Sequence, residues 1–218
     1  MIFLKLSKNQ KNYEPLIIPI NKAFHELTKG EAQEYFDWYL NHIDARSEYL
    51  RSKVANGLDI PIETLDFSFE SLKIVWKWFL QVAEISMTPK SLLKKIEKSL
   101  SGQPQSYINH MLEQSKEELS VFTEYVLRDI GMYLGKVFEG NYPQLKWTYK
   151  ISPQSDVHVN QPIIIGFIDE TYTKPFYPEL EPIDLARTPA MNLFDNTQRE
   201  NDLFEWSKKW EQWIPREN

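Results

Sequence analysis

Residues Tyr125 to Phe138 read YVLRDIGMYLGKVF, and this stretch decides the fold. Apolar residues recur there every three or four positions, which predicts an amphipathic helix. The same period reaches back to Ser106, so we predict one long helix from Ser106 to about Phe138. A turn at Gly140–Pro143 and two strand-like runs follow it. Segment 105–167 should therefore join the longest helix to a sheet.

Two glycines and two charges interrupt the apolar face of this helix. Gly131 and Gly135 lie four positions apart and so share a face. Because glycine inside a helix costs up to about 1 kcal/mol against alanine, the pair predicts a close backbone approach or a kink. Arg128 and Asp129 fall within the apolar region, so at least one of them should be paired.

The sheet is predicted from residues 145–168. Residues 145–151, LKWTYKI, alternate apolar and polar side chains, as in a half-buried strand. The run Ile163–Ile165 is continuously apolar, and a hairpin is the simplest connection to it. Pro162 requires an edge, a bulge or a strand start at that position.

Helices are also predicted on both sides of this segment. Thr28 and Glu31 form a capping box, which opens a helix to about Asn56 with Gly57 as its left-handed stop. A second helix should run from Phe69 to about Ile85. A short basic helix follows Thr88-Pro89. Its leucines and isoleucine should face inward and its lysines solvent: Leu92, Leu93, Ile96 and Leu100, against Lys90, Lys94, Lys95 and Lys98.

The last fifty residues combine a proline-rich segment with a tryptophan-rich helix. Asp169–Asn192 holds four prolines and should wrap the body, and Asp195–Gln198 should cap the final helix. Trp206, Trp210 and Trp213 form one stripe on that helix. The stripe docks on the core of its own chain, or else forms a partner or dimer contact in which tryptophan is a common anchor.

These elements predict an α+β protein: a mostly helical body with a small antiparallel sheet and a C-terminal helix. We expect a single domain over residues 1–218. Its parts would be a helical body over 28–138, the sheet over 145–168, and the proline-rich wrap with the tryptophan helix over 169–218.

Composition limits the function. The chain has no cysteine, which excludes disulfides, thiolate metal sites and a cysteine nucleophile. Its net charge is −6, and most of the acidic excess follows Asp169. Such a chain is a poor nucleic-acid ligand, since phosphate contacts need lysine and arginine. We expect a basic protein partner instead. The sequence shows no membrane span or signal peptide, so a cytoplasmic location is expected.

Recognised catalytic and cofactor motifs are absent from the sequence. The four histidines, His25, His42, His110 and His158, lack metal-ligand spacing, and neither a metal nor a cofactor is predicted. The strongest polar candidate is a cluster of Arg46, Arg128, Asp129 and Tyr133, which could line a ligand pocket. Arg46 lies on the apolar stripe of its helix, so it either snorkels to solvent or forms a buried ion pair.

Two segments carry a family resemblance. Leu27–Trp38 with Arg46–Leu50, and Asp129–Phe138 with Lys146–Trp147, resemble uncharacterised proteins of Bacillus-type Gram-positive bacteria. Lys136 departs from that pattern, in which an acid often follows the second glycine. Some proteins of this kind are small acidic immunity or antitoxin factors, and the resemblance implies such a role by analogy.

Three functions follow as hypotheses. The leading one is a non-enzymatic, immunity- or antitoxin-like protein-binding factor. The second is a small-molecule-binding domain or enzyme that uses the arginine–aspartate–tyrosine cluster. The third is a structural homodimer formed through Trp206, Trp210 and Trp213.

Overall fold

A computed structural model of the chain describes residues 13–151, 153 and 155–215. Within these residues the protein is mostly helical, with four short strands in two antiparallel pairs. The predicted α+β class is therefore confirmed. The helices are α1 (Lys29–Leu58), α2 (Ser71–Val82), α3 (Lys90–Ser99), α4 (Gln105–Gln114), α5 (Val121–Asn141), α6 (Pro182–Ala190) and α7 (Asp202–Glu211). The strands are β1 (Ile85–Met87), β2 (Glu117–Leu119), β3 (Lys146–Tyr149) and β4 (Pro162–Ile165).

Helix α5 lies at the centre of the molecule. Ser120 caps its first turn by accepting a hydrogen bond from the Thr123 amide at 3.1 Å. Most side chains between Phe122 and Phe138 are buried, and the helix packs chiefly against α1 and α6. Because α5 is covered on most sides, the neighbouring elements are positioned by packing against its side chains.

The predicted close backbone approach is confirmed at Gly131, whereas at Gly135 a side chain approaches instead. A Cβ atom placed on Gly131 would lie 2.8 Å from the backbone Cα of Ile183, at the start of α6. One placed on Gly135 would lie 2.2 Å from Cζ2 of Trp147 on β3. Both distances are shorter than van der Waals contact, so only glycine lets α6 and β3 reach α5.

The prediction of one helix from Ser106 to Phe138 is wrong. The segment divides into α4, the strand β2 and α5. β2 pairs with β1 in antiparallel register, with Ile85 opposite Leu119 and Met87 opposite Glu117. This pairing uses backbone groups that a continuous helix would need for itself, and Ser120 then starts a new helix.

Residues 85–119 form a projection that we call the arm: β1, α3, α4 and β2. The main packing partner of α3 is α4, and α3 contains no buried residue. The prediction that all four apolar residues face inward is wrong for Leu92, which is 40% exposed, while Leu93, Ile96 and Leu100 are partly buried and the lysines are exposed as predicted. The helix starts at Lys90 after Pro89, and the Thr88 side chain forms no cap.

Two helix ends on the N-terminal side differ from the prediction. Helix α1 opens at the predicted capping box of Thr28 and Glu31, but it runs through Gly57 and ends with Asp59 in the left-handed conformation, at φ 54°. Gly57 instead makes room for Trp78, because a Cβ there would lie 2.5 Å from the indole nitrogen. Helix α2 spans Ser71–Val82, which is shorter than predicted at both ends.

The last helix also starts later than predicted. Its N-cap is Asn201 rather than a residue of Asp195–Gln198. The Asp202 carboxylate accepts hydrogen bonds from the backbone amide and side chain of Arg199, at 2.8 and 3.0 Å. These bonds fold the chain into a turn before α7, so helical geometry cannot extend back to Asp195.

The predicted hairpin between the two sheet segments is confirmed. β3 and β4 pair antiparallel, with Trp147 opposite Ile164, and Pro162 opens β4 as its position required. The strand β3 ends at Tyr149, so Ile151, expected on the buried face, is 46% exposed. Leu180 pairs with Ile164 through two backbone hydrogen bonds, which ties the proline-rich segment to this sheet.

The C-terminal tryptophans pack on this chain's own core. Trp206, Trp210 and Trp213 are partly buried against a cluster that also contains residues of α1, α2, α5, the β3–β4 sheet and α6. A single domain over the whole chain stays a prediction. In the part of the chain that the structure describes, no helix is long and apolar enough to cross a membrane.

Substitution of the α5 glycines tests the close approach. Gly131→Ala should lower the free energy of unfolding by about 1–3 kcal/mol, because the new methyl group overlaps the α6 backbone. Gly140→Ala is the matched control in the same helix, since nothing lies within 4 Å of its Cβ position. It should raise stability by up to about 1 kcal/mol. Equal effects of the two substitutions in urea unfolding would contradict this packing.

Candidate functional site

The structure brings Arg46 and Asp129 together as a buried ion pair. The Arg46 Nε atom donates to Asp129 Oδ1 at 2.9 Å, and Nη2 donates to Oδ2 and to the Glu14 carbonyl. The Tyr13 hydroxyl also donates to Asp129. Burial raises the pKa of Asp129, and the guanidinium opposes that rise. Of the two roles predicted for Arg46, the buried ion pair is the one observed.

The other two members of the predicted cluster face different partners. Arg128 donates from Nη1 to the Leu16 carbonyl at 2.9 Å. The Tyr133 hydroxyl lies 2.7 Å from Ser71 Oγ and accepts from the Phe67 amide at 3.4 Å. Thus Arg46 and Arg128 both hold the extended segment 13–20 on the helical body. All four predicted side chains bond within the protein, which favours a structural role for them.

A candidate binding surface is a groove formed by two adjoining cavities of about 890 and 470 Å³. The first lies between the root of the arm and the end of α6, and the second between α6, α7 and residues 179–181. They share Arg187 and Met191, so we treat them as one acidic groove. Its lining residues are Met87, Glu113, Gln114, Lys116–Leu119, Glu124, His158, Glu179–Glu181, Asp184, Leu185, Arg187, Thr188, Met191, Phe194, Asp195, Trp206 and Trp210.

Negative charge dominates the groove. Eight carboxylates line it, against two permanent cations, Lys116 and Arg187. Both cations are already engaged: Lys116 pairs with Glu113, and Arg187 with Glu124 and Asp184. Among the described residues, Glu117, Glu118 and Asp195 form no ion pair. The groove therefore holds carboxylates whose charge no neighbouring cation neutralises.

Apolar side chains lie beside these carboxylates. Met87 at the arm root is 70% exposed, and Met191 after α6 is 48% exposed. Phe194 is partly buried near them, and Trp206 and Trp210 line the second cavity. Methionine is flexible and polarisable, so it adapts to apolar partners of varied shape. The groove can thus offer ionic and apolar contacts together, and we call these five apolar side chains its apolar floor.

Glu181 is the most perturbed acid of the groove. Its carboxylate caps α6, accepting hydrogen bonds from the amides of Ile183 at 3.1 Å and Asp184 at 2.6 Å. Burial, reinforced by the nearby Asp184 charge, raises the pKa of Glu181 to about 7. The Glu181-Pro182 pair is a helix start with proline at the first helical position, and the sequence contained that signal.

His158 and Asp184 form an ion pair beside Glu181. Their Nε2 and Oδ2 atoms lie 2.9 Å apart. The hydrogen bond to Asp184 raises the pKa of His158, and the same bond lowers the pKa of Asp184. Arg187 extends the network by donating from Nη2 to Glu124 at 2.8 Å. These bonds connect α6 to α5 and to the loop before β4.

The groove draws on residues that the sequence analysis did not group. Only Trp206 and Trp210 among its lining had been named as binding candidates, while Trp213 lies outside it. The acidic excess after Asp169 was noted, and that region supplies Glu179, Glu181, Asp184 and Asp195. The described residues contain no group of three or more His, Asp or Glu side chains placed to hold a metal ion.

Comparisons of the chain with protein-family models, curated proteins and solved structures find no match. The resemblance to Gram-positive bacterial proteins therefore stays a prediction. So does the immunity- or antitoxin-like role that it implies. The features that bear on function are the groove, its charge and its apolar floor.

The pKa of Glu181 predicts a pH dependence of stability. The folded pKa of Glu181 is about 7 and its ordinary value is 4.5, so folding takes up a proton between these two pH values. The contribution of Glu181 is therefore most favourable at low pH and is lost as pH rises through 7. His158, whose pKa is also raised, acts in the same direction.

Glu181→Gln isolates this contribution, because the amide does not titrate and its oxygen can still accept one of the two capping hydrogen bonds. Between pH 6 and pH 8, the wild type should lose about 1 kcal/mol more unfolding free energy than the variant. Urea unfolding at both pH values measures this difference. If wild type and variant lose equal amounts, the Glu181 carboxyl titrates as an ordinary exposed acid and the assignment is wrong.

Proposed function

We propose that the protein is a non-enzymatic binding factor of immunity or antitoxin type, and that its acidic groove takes a basic protein partner. The observation that carries the proposal is the excess of carboxylates along a groove with an apolar floor. A basic surface with protruding apolar side chains complements both features. The cytoplasmic location expected from the sequence belongs to the same proposal.

The electrostatics of the groove favour a partner over a lone small ligand. Glu117 and Glu118 lie on β2 and Asp195 lies in the segment that follows α6, so the free carboxylates come from two separate parts of the lining. Opposed charges spread along an interface speed association and select the correct partner, with a strong dependence on salt. Binding should therefore weaken as ionic strength rises.

The apolar floor supplies the contacts that ionic pairing alone does not. Exposed ion pairs typically contribute little net affinity, whereas buried apolar anchors contribute most of it. Met87 and Met191 are exposed beside the free carboxylates, so a partner that pairs with the acids also covers them. The two tryptophans of the second cavity extend this anchor region.

A charge-neutral groove variant tests the proposal. Glu117→Gln, Glu118→Gln and Asp195→Asn together remove three negative charges with little change in shape. Wild type immobilised at low salt should capture a basic protein from a lysate of the native host, identified by mass spectrometry. The triple variant should capture at least about tenfold less of it, since each lost charge pair weakens binding.

The matched control removes three exposed carboxylates outside the groove: Glu34→Gln, Glu139→Gln and Glu170→Gln. It makes the same change in net charge and should retain full capture. Equal loss in both triple variants would mean that only net charge matters, which contradicts a specific groove.

Coexpression then tests the biological role. A captured protein that inhibits growth alone, and no longer does so with this chain present, identifies an immunity or antitoxin factor. A captured protein with no effect on growth would contradict that role.

A further inference from the structure

The arm carries the most basic helix face of the described structure. Lys90, Lys94, Lys95 and Lys98 of α3 are all exposed, and none forms an ion pair with a described residue. Glu97 is the single acid in the helix. Lys98 is four positions from Lys94 and three from Lys95, so the three lysines share one side of the helix. An acidic chain thus displays one concentrated positive surface on a projection.

This surface is also incompletely covered. Helix α3 packs chiefly on α4 and buries no residue, and Leu92 remains 40% exposed. The helix is about 15 Å long for its ten residues. It can therefore present lysines and an apolar edge together. These groups complement the carboxylates and apolar side chains of the acidic groove.

The root of the arm forms one wall of the acidic groove. Met87, Glu113, Glu117 and Glu118 belong to the arm and line the first cavity. The lysines of α3 form no ion pair with these carboxylates within one chain, so both surfaces are free to meet another molecule.

We infer that the occupant of the groove in the isolated protein is the arm of a second copy of this chain. Helix α3 of one copy lies in the groove of the other, and the reverse contact forms at the same time. Both surfaces occur on every copy, so a two-fold axis makes each contact twice and closes the assembly as a dimer. Three free lysines meet three free carboxylates, while Leu92 covers the exposed methionines of the partner.

This dimer goes beyond the proposed binding function and does not require it. It also differs from a homodimer through the C-terminal tryptophans, because its contacts are the arm and the groove. The two inferences are linked by competition: a basic partner can enter the groove only when the second arm leaves. Self-association is measured on the purified protein alone, so it can fail while partner capture succeeds, and the reverse.

Charge exchange tests the arm contact. The arm variant is Lys94→Glu, Lys95→Glu and Lys98→Glu, and the groove variant is Glu117→Lys, Glu118→Lys and Asp195→Lys. In sedimentation equilibrium at low salt, wild type should be dimeric and each variant alone monomeric. An equimolar mixture of the two variants should form a 1:1 dimer, because each arm then meets a groove of opposite charge. Circular dichroism checks that both variants fold.

A control variant reverses three exposed lysines away from the arm: Lys29→Glu, Lys146→Glu and Lys174→Glu. It should remain dimeric. Wild type that stays monomeric at every concentration overturns the inference, as does a mixture of variants that stays monomeric. So does a monomer that binds phosphatidylserine vesicles through the α3 lysines, since the arm would then be a lipid-binding element.

Discussion

The burial of α5 is the constraint on which the rest of the structure depends. A helix covered on most sides can hold the Asp129 charge only if a cation and hydrogen-bond donors reach it, and Arg46 and Tyr13 do so. This requirement fixes α1 and the N-terminal segment. Gly131 lets the α6 backbone approach α5, and Gly135 makes room for the Trp147 side chain of β3. Because α6 forms a wall of the acidic groove, the packing of α5 also shapes the candidate binding surface.

Features with a local signal were predictable from the sequence. The capping box of Thr28 and Glu31, the hairpin opened by Pro162 and the glycine-mediated close approach all appear in the structure. The long helix over 106–138 was wrong because Glu117–Leu119 pairs with a strand about thirty residues earlier in the chain. Helical periodicity is read from a short window of sequence, so it gives no information about a pairing strand so distant in sequence.

The candidate site was less predictable than the fold. The Arg46 ion pair was one of two roles foreseen for that residue, but Tyr13 was not expected to complete it. The groove combines the arm root with residues that follow β4, and only tertiary packing places these segments together. The acidic excess after Asp169 indicated the character of the surface but not its position. The sequence predicts a solvated face for the lysines of α3, because no sequence signal near them indicates that α3 lies on a projection.

Amide hydrogen exchange tests the central claim most directly, when the protein is compared as a free monomer at low concentration and bound to the basic partner that it captures. Exchange should slow in residues 85–87, 113–119 and 191–195, where the groove lining comes from the arm root and the end of α6. It should change little around Tyr172, Phe176 and Tyr177, which are exposed aromatic residues outside the groove. Protection at those aromatics with none in the groove would contradict the assignment of the acidic groove as the binding surface.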